Sequence, residues 1–376
     1  MNKRARVLVR GSYGVGNFGD DILMIAIYRL LKECYDSEEI TFLSPQSRYI
    51  QKMEPEIRTT DYRSKLYSVD LEVYGGGTQF YSFYQKKSKR SISKSIFKAI
   101  RYPHKLFYYM LDRYWNNHPK ISRRAAIGIG VGPFVSKSAE ETTAKILLSN
   151  MDYIAVRDDH SYSLLKKWGI PQVSYWTDLA YTEHIWPGFS NSDLSLDWKL
   201  RRIGIIIRDW PHTMEGAAYQ KPLKSVVQEL RVQGYHVVYI LFKKSDVQWI
   251  ETLNEMKEEY ILWDPERESV KSFFSTLNEF DCFISARYHG AVIGTILGKP
   301  VICIEVEQKL RLISEILSKK RFLWKQPFIS KECINLIKEI DANYQSVMQD
   351  IADTRAREFV RAKMMMEEFI SFCKSR

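Results

Sequence analysis

Asp281-Cys-Phe-Ile-Ser-Ala-Arg-Tyr-His-Gly290, then Ala-Val-Ile-Gly-Thr-Ile-Leu-Gly298 and Lys-Pro-Val-Ile-Cys-Ile-Glu305, reads as a strand, a turn, a helix and a second strand. The first apolar run is short enough for a buried parallel strand, and Pro300 opens the next one. In an open α/β sheet the ligand crevice lies beyond the carboxyl ends of the strands, and each following helix points its positive end there. Arg287 and His289 fall in the turn, so a guanidinium, an imidazole and free backbone N–H groups converge on one place. That combination suits an anionic, phosphate-bearing substrate.

The same alternation runs outward in both directions. Strands are expected at Arg6–Gly11, Ile40–Leu43, Leu71–Tyr74, Ala125–Ile129, Tyr153–Val156 and Val173–Trp176, with helices at Asp20–Cys34, Glu140–Asn150 and Asp159–Trp168. A Pro/Gly/Ser/Asn stretch from Trp186 to Asp197 reads as a linker. Beyond it the pattern restarts with strands at Ile203–Ile207, His236–Phe242 and Cys282–Ser285 and a helix at Pro222–Gln233. The expected architecture is therefore α/β, with two doubly wound Rossmann-like domains facing a cleft, residues 1–186 and 198–340. Residues 341–376 are expected to form one long amphipathic helix packing back across the pair.

The chain has 376 residues and a formal net charge of +11. Its 45% hydrophobic and 27% charged residues are those of an ordinary soluble globular protein. No stretch is long and apolar enough for a membrane span or a secretory h-region. The five cysteines are scattered without a C-x-x-C pair, which points to a reduced, cytoplasmic protein without disulfides or zinc. The charge is concentrated in residues 86–124, with twelve Lys/Arg against one acid, Asp112, while the remainder is balanced. Within this insertion Ile92, Ile96 and Ile100 recur at helical spacing beside Lys94, Lys98 and Arg101, followed by an aromatic run. A basic amphipathic helix of this kind suits an anionic bilayer surface, and a solvated cationic helix is the alternative. Nucleic acid is not expected, because no recognition motif accompanies the charge.

Three glycine clusters follow strands. Gly14-Val-Gly16-Asn-Phe-Gly19 has the form of the dinucleotide fingerprint, but the second strand ends Phe42-Leu43-Ser44-Pro45 without the acid that would hold a ribose. A nicotinamide cofactor is therefore not expected. Gly75-Gly76-Gly77-Thr78 and Gly128-Ile-Gly130-Val-Gly132 are either plain turns or backbone lining a cleft, and three clusters in one domain favour the cleft. Arg157 and Arg208 each end an apolar strand and precede Asp, which allows a simple ion pair or, with Arg287 and Lys309, recognition of phosphate and carboxylate. His289 is the histidine in the most ligand-like context, and its side chain can pass a proton near neutrality. No His, Cys or carboxylate cluster has metal-ligand spacing, so the chemistry is expected to need neither metal nor cofactor.

Taken in order, Gly11-x-Tyr13-Gly14-x-x-Asn17-x-Gly19-Asp20, Gly75-Gly-Gly77, Ile127-Gly-Ile-Gly-Val-Gly132-Pro133, Val156-Arg157-Asp158 and Arg287-Tyr-His289-Gly290 resemble the polysaccharide pyruvyltransferases over roughly residues 5–312. The resemblance implies a GT-B-like pair of Rossmann domains. It also implies transfer of a pyruvyl unit from phosphoenolpyruvate to two hydroxyls of a cell-surface sugar, possible acceptors including a polyprenyl-diphosphate-linked precursor. In that reading Arg157, Arg208, Arg287, Lys309 and Gly290 meet phosphoenolpyruvate, and His289 is the general acid. Asp20 accepts a proton beside the acceptor, and Gly14, Asn17, Gly76, Gly77 and Thr78 line its side. The basic insertion would then hold the enzyme at the inner face of the membrane. A GT-B glycosyltransferase using a nucleotide sugar and an idle glycan- or membrane-binding module are the alternatives.

Overall fold

The computed structural model describes residues 5–44, 48–60, 68–82, 120–183, 185–186, 200–210 and 215–375. Two parallel sheets carry the chain. The first joins β1 (Ala5–Arg10), β2 (Ile40–Leu43), β3 (Arg58–Thr60), β4 (Ser68–Phe80), β5 (Lys120–Val131), β6 (Tyr153–Val156) and β7 (Val173–Tyr175) in the order β3-β2-β1-β4-β5-β6-β7. The second joins β8 (Arg202–Ile207), β9 (His236–Leu241), β10 (Tyr260–Leu262), β11 (Cys282–Ser285), β12 (Val301–Ile304) and β13 (Leu323–Trp324) in the order β10-β9-β8-β11-β12-β13. Both orders reverse direction once, between β1 and β4 and between β8 and β11, and such switch points are where α/β sheets bind ligands. The central strands are apolar on both faces, as buried parallel strands must be: β6 and β11 are buried at every residue.

Helices cover both sheets: α1 (Phe18–Leu31), α2 (Arg48–Met53), α3 (Ala139–Ser149), α4 (Asp159–Lys167), α5 (Gln220–Val232), α6 (Val247–Glu255), α7 (Val270–Asn278), α8 (Tyr288–Ile296), α9 (Gln308–Ser318), α10 (Ser330–Ala342) and α11 (Tyr344–Lys374). Most are amphipathic, but α1 is buried almost all round. The reason is tertiary. One side lies on β4, another meets α11, and its first residue, Phe18, enters an aromatic cluster with Phe242, Trp263 and Phe273 of the second half. Edge-to-face contacts of this kind are worth about 0.5–1.5 kcal/mol each beyond the area they bury. The Phe18 N–H also donates to the Phe242 carbonyl at 3.0 Å.

The expected long C-terminal helix is α11, set off from α10 by Asn343. α11 runs along α8, α9 and α10 of the second half and reaches β6 of the first. There Tyr153 packs on Phe369 and Phe372 at 5.5 and 5.2 Å. Thr177 donates to Glu358 at 2.6 Å, and the Trp176 indole donates to Glu368 at 2.9 Å.

Three sequence expectations change here. The basic insertion is shorter than 86–124, because Lys120–Arg124 begin β5, paired in register with Ser68–Glu72 of β4. Arg124 pairs with Glu72 at 3.1 Å, and Arg123 stacks on Phe372 at 3.9 Å, so neither is part of a cationic helix. The part at 83–119 lies outside the described residues, as does most of the expected linker. The glycine runs at 75–77 and 128–130 are not turns after strands but lie inside β4 and β5, which continue pairing through them with register shifts. Strands β3, β10 and β13 were not legible, being two or three residues long at or near the sheet edges.

Candidate active site

A cleft of about 670 Å³ lies between the two sheets and is lined from both. From the first half come Asn17 and Asp20 at the start of α1, Gly77 and Thr78 in β4, Gly132 after β5 and Arg157 after β6. From the second come Arg208 after β8, Lys243 and Asp246 after β9, Arg287 and His289 after β11, and Glu307 and Lys309 after β12. Every one sits at or just beyond the carboxyl end of a parallel strand. The helices that follow those strands point their positive ends inward.

α8 offers its start to an anion. Among the described residues no side chain caps it and no acid sits in its first turn; its N-cap residue is Arg287 and its second residue is His289. α6 differs, since Asp209 already accepts from the Gln248 and Trp249 N–H groups at 2.9 and 3.2 Å. Burial raises the Asp209 carboxyl, and the backbone donors act in the opposite direction.

Nearly all the cations are matched to carboxylates that sequence reasoning did not single out. Arg157, 2% exposed, donates to Asp178 at 2.8 Å and to Thr78 at 2.9 Å, and its guanidinium lies 3.9 Å over the Tyr288 ring. Burial opposes its charge, but Tyr288, Asp178 and Asp158 together keep its pKa above the usual arginine value. Arg287, 7% exposed, donates from Nε to the Ile207 carbonyl at 3.1 Å and pairs with Asp246, and burial moves its pKa down. Arg208 and Lys309 share Glu307, at 2.5 and 3.1 Å, which leaves one surplus positive charge in that trio. Burial lowers the Lys309 pKa against the pull of Glu307. Lys243 lines the cleft with no carboxylate partner among the described residues.

His289 lies across the mouth between the halves. Its Nε2 is 3.7 Å from Asp178 Oδ2, and it is buried with no hydrogen-bond partner among the described residues. The other edge of the ring rests on Gly19 of α1, where an added Cβ would come within 2.3 Å of Nδ1. Burial pushes the Asp178 carboxyl up, but His289, Arg157 and the Ala180 N–H outweigh it and hold the group down at about 2. Asp20 accepts from the Asn17 side-chain amide at 2.5 Å.

Of the residues expected from sequence, His289, Asp20, Arg157, Arg208, Arg287, Lys309, Asn17, Gly77 and Thr78 line this one cleft. Gly14, Gly76 and Gly290 do not. Gly76 (φ +67°) packs against Leu23, and the space where Gly290 would carry a Cβ is taken by Ser285 Oγ at 2.2 Å. Both are needed for close helix–sheet packing rather than for a ligand. Asp178, Asp246 and Lys243 were missed, yet each follows a strand by a few residues, the same positional signal that marked Arg157 and Arg287. Among the described residues no three His, Cys, Asp or Glu side chains come together as a metal-holding group.

The fold has many relatives among solved structures. A glycosyltransferase from Rickettsia africae is 11% identical, covers 100% of this chain and 98% of its own, and superposes with a TM-score of 0.55. S. aureus MnaA, solved with UDP, is 10% identical over 98% of this chain and 95% of its own, with a TM-score of 0.58. Anabaena HepE, solved in complex with UDP, is 9% identical over 100% of both chains, with a TM-score of 0.55. At such identities the likeness is one of fold, the GT-B-like arrangement of two Rossmann-type sheets. Among curated proteins none matches the chain in sequence. The sequence pattern of one family matches residues 17–308, more than half of the chain and most of the cleft residues, from Asn17 to Glu307. This chain therefore belongs to the polysaccharide pyruvyl transferase family.

Proposed function

We propose that the cleft takes phosphoenolpyruvate and transfers its pyruvyl unit to two hydroxyls of one sugar, in a cell-surface polysaccharide or its lipid-linked precursor. The observation that carries this reading is the uncapped start of α8, which brings Arg287, His289 and free N–H groups to the cleft opposite Asp20. Phosphate and carboxylate would lie against that helix end, held by Arg287, Arg157, Arg208 and Lys309. The surplus charge of the Arg208–Glu307–Lys309 trio favours an incoming anion.

His289 gives a proton to the methylene carbon, which becomes the methyl group, while a sugar hydroxyl bonds to the adjacent carbon and loses its proton to Asp20. The carbon–oxygen bond to phosphate breaks as the second hydroxyl adds and returns a proton to His289; the proton on Asp20 passes to the departing phosphate, and the products are the pyruvate ketal and phosphate. Preorganised cations lower the energy of the leaving phosphate. Asn17, Gly77 and Thr78 line the side where the sugar would lie. The residues themselves supply every group this sequence needs, so a metal-independent reaction is part of the proposal. The basic segment from Lys86 would hold the enzyme against an anionic membrane at the inner face of the cell.

The test is thermal stabilisation by phosphoenolpyruvate against a panel of nucleotides and nucleotide sugars. A ligand at 100 times its Kd adds about 2.7 kcal/mol, a shift readily seen. Stabilisation by phosphoenolpyruvate, with phosphate released on adding acceptor, is the expected result. Stabilisation by a nucleotide sugar alone would overturn it in favour of glycosyl transfer, the chemistry named for the Rickettsia africae relative.

A further inference from the structure

We infer that Asp178 is the positioning residue for His289, an acid partner supplied by the opposite half of the molecule. The inference rests on His289 acting as proposed above, but its geometry stands alone. Asp178 lies in the turn after β7, and His289 in the first turn of α8. The carboxylate is 1% exposed and held at both oxygens: Oδ1 accepts from the Ala180 N–H at 2.9 Å, and Oδ2 accepts from Arg157 at 2.8 Å. Arg157 is in turn held by Thr78 and by the Tyr288 ring. The carboxylate therefore cannot swing away, and its Oδ2 still has an open lone pair facing His289 Nε2 at 3.7 Å. That nitrogen is a buried polar atom with no hydrogen-bond partner among the described residues.

A buried orphan nitrogen facing a fixed, ionised carboxylate has one low-energy resolution. A shift of about 0.7 Å closes the gap to an ordinary N–H···O distance. The contact then holds Nε2 protonated and leaves Nδ1, on the edge beside Gly19, as the nitrogen that exchanges a proton with the reactants. The other charged or titratable groups around the ring are Tyr288, 5.4 Å away on the same helix, Arg157 beyond it, Asp20 next to Gly19, and Arg287, whose charge is already paired with Asp246. None of these is a carboxylate facing Nε2. Because the two partners belong to different sheets, the acid is complete only when the halves are closed on each other.

The experiment is proton NMR of the histidine ring N–H signals in the full chain, with Asp178→Asn compared with the unaltered protein. The His289 signal is the one lost in His289→Ala. The expected result is a downfield His289 Nε2–H signal that moves upfield or is lost in Asp178→Asn, the other six histidines staying put. In the transfer assay Asp178→Asn should lower kcat by about 10²-fold with little change in KM for phosphoenolpyruvate, and Asp178→Glu should recover part of it. A folded Asp178→Asn protein with an unchanged His289 ring N–H signal overturns the inference. If loss of one partner unfolds the chain, Arg157→Met with Asp178→Asn removes the pair together and the same signal decides. A changed ring N–H signal in a protein that phosphoenolpyruvate neither stabilises nor serves as donor keeps the Asp178–His289 partnership and refutes only the pyruvyl transfer reading.

Discussion

Gly19→Ala tests how tightly the two halves clasp the imidazole. The added Cβ would lie 2.3 Å from Nδ1, 2.6 Å from Cγ and 2.8 Å from Cβ of His289. Normal contact needs about 3.4 Å, so the ring or the helix must move by about 1 Å. The helix start is not free to move: Phe18 N–H is bonded to Phe242, and the Asp20 and Asp21 N–H groups are bonded to Asn17 O. The ring therefore yields, away from its place beside Asp178. Overpacking costs about 1–3 kcal/mol, while replacing a helical Gly by Ala returns about 1 kcal/mol, so the fold loses no more than about 2 kcal/mol. Catalysis is affected more, since an error of about 1 Å in a catalytic group costs about 10²-fold, or about 2.7 kcal/mol in the barrier. The assay is phosphate release with phosphoenolpyruvate and acceptor, run beside a thermal melt. A folded Gly19→Ala protein within about twofold of the original kcat/KM would show that the ring is not held as described.

Asp21→Asn addresses the contact between the halves. The Asp21 carboxyl is buried, accepts from the Trp263 indole at 2.8 Å and from Tyr49 at 3.1 Å, and burial foremost raises its pKa to about 7. A carboxyl raised in the folded state binds more protons there than when unfolded, so the contribution of Asp21 to stability is greatest below about pH 4 and falls as pH rises towards about 7, by at most about 4 kcal/mol. Urea midpoints of the original protein should therefore drop between pH 5 and pH 8 relative to Asp21→Asn, which keeps an acceptor for Trp263. Parallel curves would refute the assignment. Replacing Lys86, Lys87, Lys89 and Arg90 by Gln should weaken binding to vesicles containing anionic lipid and leave phosphoenolpyruvate stabilisation unchanged, each lost charge removing about 1 kcal/mol near the surface. Vesicle binding that does not change rejects the membrane role.

The architecture was legible because parallel α/β folds write themselves locally. Short apolar strands, Gly-terminated helices and motifs at strand ends recur at regular intervals, and Arg157, Arg287 and His289 announce themselves by standing where β6 and β11 stop. The polar residues of the cleft could be named for the same reason, since position after a parallel strand predicts which end of the sheet they reach. Partnership was not legible. Asp178 is 21 residues from Arg157 and more than 100 from His289, and only the docking of the two sheets brings it to both. Gly19, Gly76 and Gly290 looked alike as small residues in loops and helix starts, but what the missing Cβ of Gly19 and Gly76 makes room for is decided by a neighbour distant in sequence, His289 and Leu23, whereas Gly290 makes room for the nearby Ser285. Short-range pattern determined the elements and the end of each sheet that carries chemistry. Which charge meets which carboxylate, and how closely the imidazole is gripped, was decided by packing between halves of the chain that no local pattern connects.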